Sequence, residues 1–193
     1  MSMIAATSHA MTHPAVAFPV LTVLIATPAI GALLVAMSSN RRPEFSKLLA
    51  LLTSVFTGAS ALWLLASFDK AEEGFQFASK HAWIGSWGIG WNVGIDGISL
   101  FLVVLTGVLF PLVIIGVDPH HDEKRYLSWL LLLEAGVMGS FVSLDLFLFF
   151  LFFEIVLVPM YFLIGGWGYD QRIYAATKFF LYTMFGSAFM LVG

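Results

Sequence analysis

The stretch "LDLFLFFLFFEIVLVPMYFLIGGWG" runs from Leu144 to Gly168 and decides how the rest of the chain is interpreted. After Asp145, Glu154 is its only charged residue. A helix needs about 20 apolar residues to cross the roughly 30 Å hydrocarbon core of a bilayer. The stretch therefore predicts a transmembrane helix that carries one carboxyl group near its middle.

The composition of the whole chain agrees with this prediction. Of 193 residues, 60% are hydrophobic and only 11% are charged, and the mean hydropathy is +0.92. A soluble domain of this length needs a far more polar surface, so the membrane class is favoured. The net charge of -3, without a basic patch, argues against a nucleic-acid partner. The absence of cysteine excludes disulfides, cysteine-bound iron–sulfur clusters and a thiol nucleophile.

Long apolar runs alternate with short polar breaks along the chain, which predicts an all-α, multi-pass membrane fold. Residues 1–96 would hold the first two helices and an outer loop, and residues 97–193 would hold helices three to six. The six predicted spans are Val16–Met37, Leu48–Phe68, Gly97–Val117, Tyr126–Leu144, Leu146–Gly166 and Ala175–Gly193.

Basic residues are unequally distributed between the two sets of breaks. By alternation, three breaks lie on one side of the membrane and carry seven of the nine Lys and Arg residues. The positive-inside rule places these breaks in the cytoplasm and the N-terminus outside. The seven residues are Arg41, Arg42, Lys47, Lys124, Arg125, Arg172 and Lys178.

The outer loop, Asp69–Asp96, is rich in glycine and aromatic residues. Trp83, Trp87 and Trp91 recur at every fourth residue, which is typical of an aromatic belt at headgroup depth. The segment "GIGWNVG" misses the GxGxxG spacing by one residue, and no strand is predicted before it. We therefore discard a phosphate-binding loop.

Glu154 is the strongest functional candidate. It lies eight residues into its predicted helix, or about 12 Å from the outer end, too deep for a short side chain to reach the headgroups. Acids at this depth cost about 2.5–3.5 kcal/mol to insert and usually mark ion or proton paths. The alternative is a permanently protonated glutamate that only hydrogen-bonds a neighbouring helix.

Pro159 follows Glu154 by five residues. A proline removes one backbone donor, and its ring clashes with the carbonyl of Ile155. A helix kink there could admit water beside the carboxyl group. The alternative is a proline that serves packing alone.

Glu134 and Lys178 are two further candidates within the predicted spans. Glu134 would lie about 12 Å from the cytoplasmic end of its helix, and Gly136 and Gly139 after it allow close helix approach. It could extend a proton relay from Glu154 or form one interhelical hydrogen bond. Lys178 could reach the interface with its long side chain, or turn inward and influence a carboxylate.

The remaining polar clusters give weaker signals. "HHDE" at residues 120–123 has adjacent histidines without a third fixed ligand, so a solvated loop is favoured over a metal site. Asp96 and Asp145 stand where helices are predicted to begin, and each is expected to cap its helix.

Three segments together resemble subunit M of the bacterial proton-translocating NADH:quinone oxidoreductases, the respiratory complex I family. They are the opening stretch, "NVGIDGISLFLVVLTG" (Asn92–Gly107) and "RIYAATKFFLYTMFGSAFMLV" (Arg172–Val192). The resemblance is dense from about Trp91 onward and thin before it. The opening stretch is specific because the Glu, the Pro and the closing "GGWG" occur together in order.

The resemblance implies a fourteen-helix, antiporter-like subunit built on inverted repeats, located in the bacterial plasma membrane beside other membrane-arm subunits. It implies that Glu154 is a fifth-helix glutamate that pairs with a lysine on the seventh helix, beyond Gly193. Glu134 falls at an acidic position of the fourth helix, and Lys178 at a basic position of the sixth. No cofactor is expected in this chain, since NADH, FMN, iron–sulfur clusters and quinone would bind other subunits.

The hypothesis that follows is proton translocation by Glu154, as its pairing with the distant lysine is made and broken. Quinone reduction elsewhere in the complex would drive the change. A subunit of a multisubunit sodium/proton antiporter is the alternative, and a structural membrane spacer is a third possibility. Because the chain stops within an apolar run, we expect an N-terminal fragment of a longer protein.

Overall fold

The computed structural model describes residues 19–39, 43–69, 71, 74–84, 89–119 and 121–192. Within them the chain forms six helices and one β-hairpin. Their bounds are α1 Val20–Met37, α2 Pro43–Ser67, β1 Gln76–Ile84, β2 Ile89–Ile95, α3 Gly97–Gly116, α4 Glu123–Val142, α5 Leu146–Trp167 and α6 Arg172–Val192.

All six predicted helices are present, which confirms the helical fold class. Three begin three to five residues earlier than predicted, at Pro43, Glu123 and Arg172. Proline is well suited to the first helical position, and Glu44 and Glu123 favour the positive end of the helix dipole. Hydropathy detects only the apolar part of such a helix, so it places the start too late.

Five of the six described helices are long and apolar enough to cross a membrane. The exception is α4, which carries Glu134 and a charged first turn. At its start, Lys124 Nζ donates to Ser38 O at the end of α1. At its end, Ser143 pairs with Val93 of β2, and the neighbouring Trp91 donates to Thr22 at the start of α1. Helix α4 thus lies alongside α1 from one end to the other. We expect it to cross the same thickness of the membrane as α1.

The polar breaks gather at two opposite ends of the bundle, as alternation predicts. Lys47 Nζ donates to Val117 O, and Trp167 Nε1 donates to His121 O, so these breaks share the end that Lys124 and Ser38 occupy. The hairpin and the Ser143–Asp145 turn share the other end, which we call the hairpin end.

The hairpin is the main feature that the sequence interpretation missed. β1 and β2 pair antiparallel, with His81 opposite Trp91 and Lys80 opposite Asn92. The statement that no strand precedes "GIGWNVG" was therefore wrong. This segment still cannot be a phosphate loop of the expected kind, since most of it lies inside β2 instead of linking a strand to a helix.

The hairpin is attached to the bundle through Trp91. Its Nε1 donates to Thr22 Oγ1 at 3.0 Å, and its ring meets Phe152 edge-on with centroids 5.8 Å apart. Trp91 is half-buried and anchors the hairpin. Of the other proposed belt residues, Trp87 and the Trp83 side chain lie outside the described part of the chain, so the belt stays a prediction.

Both predicted helix caps are confirmed. Asp96 forms a reciprocal capping box with Ser99, whose backbone N–H donates to Asp96 Oδ1 at 2.7 Å. This backbone bond, as the largest cause, holds the pKa of Asp96 below its ordinary value. Asp145 accepts from the N–H groups of Phe147 and Leu148 at 2.9 and 3.2 Å. The caps fix where α3 and α5 begin at the hairpin end.

Candidate functional site

Glu134 is completely buried in the bundle, with 0% of its surface exposed. Ser54, on α2 and equally buried, donates its hydroxyl hydrogen to Glu134 Oε1 at 3.0 Å. The other oxygen, Oε2, has no hydrogen-bond partner among the described residues. A buried polar oxygen without a donor is costly, especially in a charged group. This position therefore favours a group that can become neutral by taking up a proton.

Four of the buried polar residues form a layer across the middle of the bundle. The apolar core is divided into two clusters, one toward the hairpin end and one toward the opposite end. On α4, Glu134 lies between Leu131 of one cluster and Met138 of the other. Ser54 and Thr57 lie between the same two clusters on α2. Thr106 lies between them on α3. We call these four residues, Ser54, Thr57, Thr106 and Glu134, the central polar layer.

Glycines allow the helices to approach closely at this depth. A Cβ on Gly58 of α2 would lie 2.3 Å from the carbonyl oxygen of Gly107 on α3. A Cβ on Gly139 of α4 would lie 2.3 Å from the ring of Phe152, and one on Gly136 would lie 2.8 Å from Val156. The close approach expected at Gly136 and Gly139 is therefore present, and it brings α4 against α5.

Glu154 is half-buried and faces α6. Its Oε1 is hydrogen-bonded to the hydroxyl of Ser187, a residue with only 5% of its surface exposed. No Lys or Arg of the described segments forms an ion pair with it. The carboxyl group is thus held by a neutral hydroxyl within the bundle.

The two acids lie at similar depth but face different helices. Gly136 opposes Val156 and Gly139 opposes Phe152, so α4 and α5 are antiparallel. Glu154 is therefore level with a position on α4 that lies three or four residues from Glu134. At a rise of 1.5 Å per residue, the two acids are separated by about 5 Å along the helix axis. Glu134 bonds to α2 and Glu154 bonds to α6. The structure does not join them directly, and a relay between them stays a prediction.

Lys178 lies on the exposed face of α6, between the rings of Tyr174 and Tyr182. Its Nζ is 5.7 and 5.9 Å from the two ring centroids. Nine residues separate it from Ser187, which is about two and a half helical turns and places the two on opposite faces. Of the two orientations expected from sequence, the structure shows the outward one, so Lys178 does not approach Glu154.

Pro159 is buried within α5, which continues as one helix from Leu146 to Trp167. Pro28 and Pro111 likewise lie inside α1 and α3. A proline within a helix is therefore not particular to the Glu154 region of this bundle, and the kink proposed for Pro159 stays a prediction.

The histidine cluster has a structural role in its described part. The His121 ring stacks on Trp167 with centroids 5.5 Å apart, while His120 lies outside the described residues. Within the described segments, no three His, Cys, Asp or Glu side chains are arranged to hold a metal ion.

Sequence reasoning missed Ser54 and Ser187, the hydroxyl partners of the two acids. Ser54 and Thr57 are spaced three apart in an apolar helix, which places both on one face and could have indicated a polar contact. Ser187 carries no comparable signal, because a lone serine in a membrane helix commonly bonds its own backbone.

The chain is similar to known proteins over most of its length. Residues 143–193 match the family described as NADH:quinone oxidoreductase/Mrp antiporter, transmembrane. NADH-quinone oxidoreductase subunit M of Rickettsia prowazekii is 43% identical over 179 residues, covering 90% of this chain and 36% of that protein. The same subunit of Rhodobacter capsulatus is 46% identical over 170 residues, covering 85% of this chain and 32% of the relative.

Solved structures share the fold. A chain of respiratory complex I from Thermus thermophilus with bound NADH superposes with a TM-score of 0.75 at 24% identity, covering 89% of this chain and 34% of that one. A chain of the archaeal membrane-bound sulfane sulfur reductase superposes with a TM-score of 0.71 at 22% identity. The match covers 91% of this chain and 36% of the reductase chain. The chain thus spans about a third of the length of the proteins it matches. Its sequence is thus similar to part of NADH-quinone oxidoreductase subunit M, and its helical membrane fold is shared by the two solved chains.

Proposed function

We propose that this chain is part of a membrane-arm subunit that translocates protons in an NADH:quinone oxidoreductase complex. The names of its relatives and the antiporter-like family match support this proposal. The structural observation that carries it is Glu154, an acid held by Ser187 between two candidate membrane spans. Intramembrane acids of this kind are expensive and mark proton relays.

Glu154 is the residue that takes up and releases the translocated proton. Its contact is a neutral hydroxyl, so neither protonation state is locked by a permanent ion pair among the described residues. Glu134 is the second proton-binding position, since its buried Oε2 can carry a proton without losing a hydrogen bond. Lys178 would influence a carboxylate or pass a proton if it turned inward, and a kink at Pro159 would admit water beside Glu154.

The orientation in the membrane follows from the basic end of the bundle. Lys47, Lys124 and Arg172 lie near that end, so it faces the cytoplasm and the N-terminus lies outside. The membrane is the bacterial plasma membrane. Other membrane-arm subunits, including neighbouring antiporter-like subunits, and the lipid bilayer are the partners. Electron transfer from NADH to quinone takes place in other subunits, which hold the redox cofactors.

The test replaces Glu154 by Gln in the full-length subunit within its complex. Gln has the same size but cannot release a proton. In inverted membrane vesicles, we expect NADH-driven acidification to be lost in Glu154→Gln while the complex still assembles. Glu44→Gln, at an exposed position in the first turn of α2, is the matched control and is expected to pump normally. Normal acidification in the Glu154 variant would refute the proposal.

The sodium/proton antiporter alternative is not favoured, because the relatives above are named subunit M. It makes a different prediction in the same vesicles. The alternative predicts that a sodium gradient drives acidification in the absence of NADH. It also predicts that an inhibitor of NADH oxidation does not reduce this acidification.

A further inference from the structure

Ser187 has two oxygen neighbours but only one hydrogen to give. Its Oγ is hydrogen-bonded to Glu154 Oε1 and also lies 3.0 Å from the backbone carbonyl oxygen of Met184, three residues earlier in α6. A serine hydroxyl carries one donor hydrogen and two acceptor lone pairs. The hydrogen can point directly at only one of the two oxygens, so Ser187 can donate only one full hydrogen bond at a time.

The hydrogen count assigns a direction to each contact. The Met184 carbonyl can only accept, so it is satisfied by Ser187 only when the hydroxyl hydrogen points to it. The remaining contact then exists as a hydrogen bond only if Glu154 is protonated and donates to Ser187 Oγ. When Glu154 is ionised, the hydroxyl must turn and donate to the carboxylate, and the Met184 carbonyl keeps only its ordinary helical bond.

We propose that Ser187 is a positioning residue that stabilises both protonation states of Glu154. It accepts a hydrogen bond from the acid and donates one to the carboxylate. The proton leaves Glu154 to a water molecule, the serine O–H bond stays intact, and the hydroxyl rotates from the Met184 carbonyl to the carboxylate. The return of a proton reverses the rotation. This inference rests on the proposed role of Glu154 as the proton-exchanging group.

The titratable groups that pack around α5 do not replace Ser187 in this role. Glu134, on α4, bonds to Ser54 on the far side of that helix. Lys178 lies on the face of α6 opposite Ser187. β2 holds no titratable side chain. The others on α4, α5 and α6 are Glu123, Lys124, Arg125, Tyr126, Tyr161, Arg172, Tyr174 and Tyr182, and no described contact joins any of them to Glu154.

The experiment compares three variants in the full-length complex in native membranes. Ser187→Ala removes the hydroxyl, Ser187→Thr keeps it, and Ser140→Ala removes a hydroxyl on α4 that bonds only its own helix, at Gly136 O. Infrared difference spectroscopy follows the carboxyl stretching band of Glu154, assigned by its loss in Glu154→Gln. The pH profile of NADH-driven acidification is measured on the same membranes.

We expect the Glu154 band and the pH profile to shift in Ser187→Ala, to return toward wild type in Ser187→Thr, and to stay unchanged in Ser140→Ala. A Ser187→Ala band and profile identical to wild type would overturn the inference. So would the absence of any protonated carboxyl band that Glu154→Gln removes, because the acid state is part of the proposal.

Two further outcomes keep the inference separate from the function it rests on. If Ser187→Ala does not assemble, Ser187→Cys offers a side chain of similar size with a weak donor. In Ser187→Cys, the carboxyl stretching band of Glu154 must shift from its wild-type position. An unchanged Glu154 band overturns the inference. If Glu154→Gln abolishes pumping while the Ser187 variants behave as wild type, the function stands and the role of Ser187 is rejected.

Discussion

Ser54 Oγ and Glu134 Oε1, 80 residues apart in the chain, meet at 3.0 Å between α2 and α4. Both side chains are 0% exposed, and they lie where the two apolar clusters of the core are divided. This hydrogen bond ties the second helix to the acid for which a proton relay with Glu154 is proposed. Helix α2 thus helps to hold the Glu134 side chain in place.

Replacing Ser54 by Ala should destabilise the protein. The substitution leaves a buried carboxyl group with no hydrogen-bond donor, which costs about 1–3 kcal/mol. We expect a lower thermal transition for the purified protein in detergent. Ser60→Ala is the control, because Ser60 lies on the same helix, is half-buried and donates only to Phe56 O of its own helix. Equal transition temperatures for the two variants would contradict the structural importance of the Ser54–Glu134 bond.

The relay between the two acids can be tested by combining their variants. If one proton passes both groups in series, Glu134→Gln with Glu154→Gln should pump no worse than the more impaired single variant. Initial rates of NADH-driven acidification in vesicles measure this. If the double variant instead reduces the acidification rate by the product of the two single-variant factors, the acids act independently. Their contacts to different helices would allow this.

Gly58 should not tolerate a side chain. A Cβ there would lie 2.3 Å from the backbone oxygen of Gly107, so α2 and α3 would have to separate. We expect Gly58→Ala to cost about 1–3 kcal/mol, as overpacking in a core does. Gly186→Ala, in open space on α6, is the control and should be neutral or slightly stabilising. Thermal unfolding in detergent measures both, and matching transitions would count against the tight α2–α3 contact.

The cap of α3 should make stability depend on pH in the acid range. The pKa of Asp96 is lower in the folded state than its ordinary value of 3.8. The ionised carboxylate therefore stabilises the folded protein in full at any pH above about 3.8. This stabilisation is lost as the pH falls through the lowered folded-state pKa.

Asp96→Ala should therefore cost about 0.5–2 kcal/mol at neutral pH, toward the lower value because the carboxyl group is partly exposed, and the deficit should shrink in acid. Asp118→Ala, which removes an exposed carboxyl group with no described hydrogen bond, should change the transition temperature at neither pH. Thermal scans at neutral and acid pH check this. A deficit for Asp96→Ala that persists undiminished in strong acid would be inconsistent with the charged cap.

Helix positions and the two ends of the bundle were accessible from the sequence because each depends on local composition. An apolar run near 20 residues has few alternatives to a membrane helix. Asp96 and Asp145 were correctly expected to cap, since a cap bonds the backbone within three residues. Glu134 and Glu154 stood out for the same reason, as charges inside apolar runs.

The partners of those acids were decided only by tertiary structure. Ser54 and Ser187 lie 80 and 33 residues from the acids they contact, and a hydroxyl in a membrane helix looks the same whether it bonds a carboxyl group or its own backbone. The hairpin was missed because Gly, Trp and Asn in the loop suggested irregular chain, while pairing between β1 and β2 supplies its backbone hydrogen bonds. The outward direction of Lys178 depends likewise on which face of α6 packs on α5. Hydropathy thus determined what crosses the membrane, and helix packing determined which polar groups meet inside it.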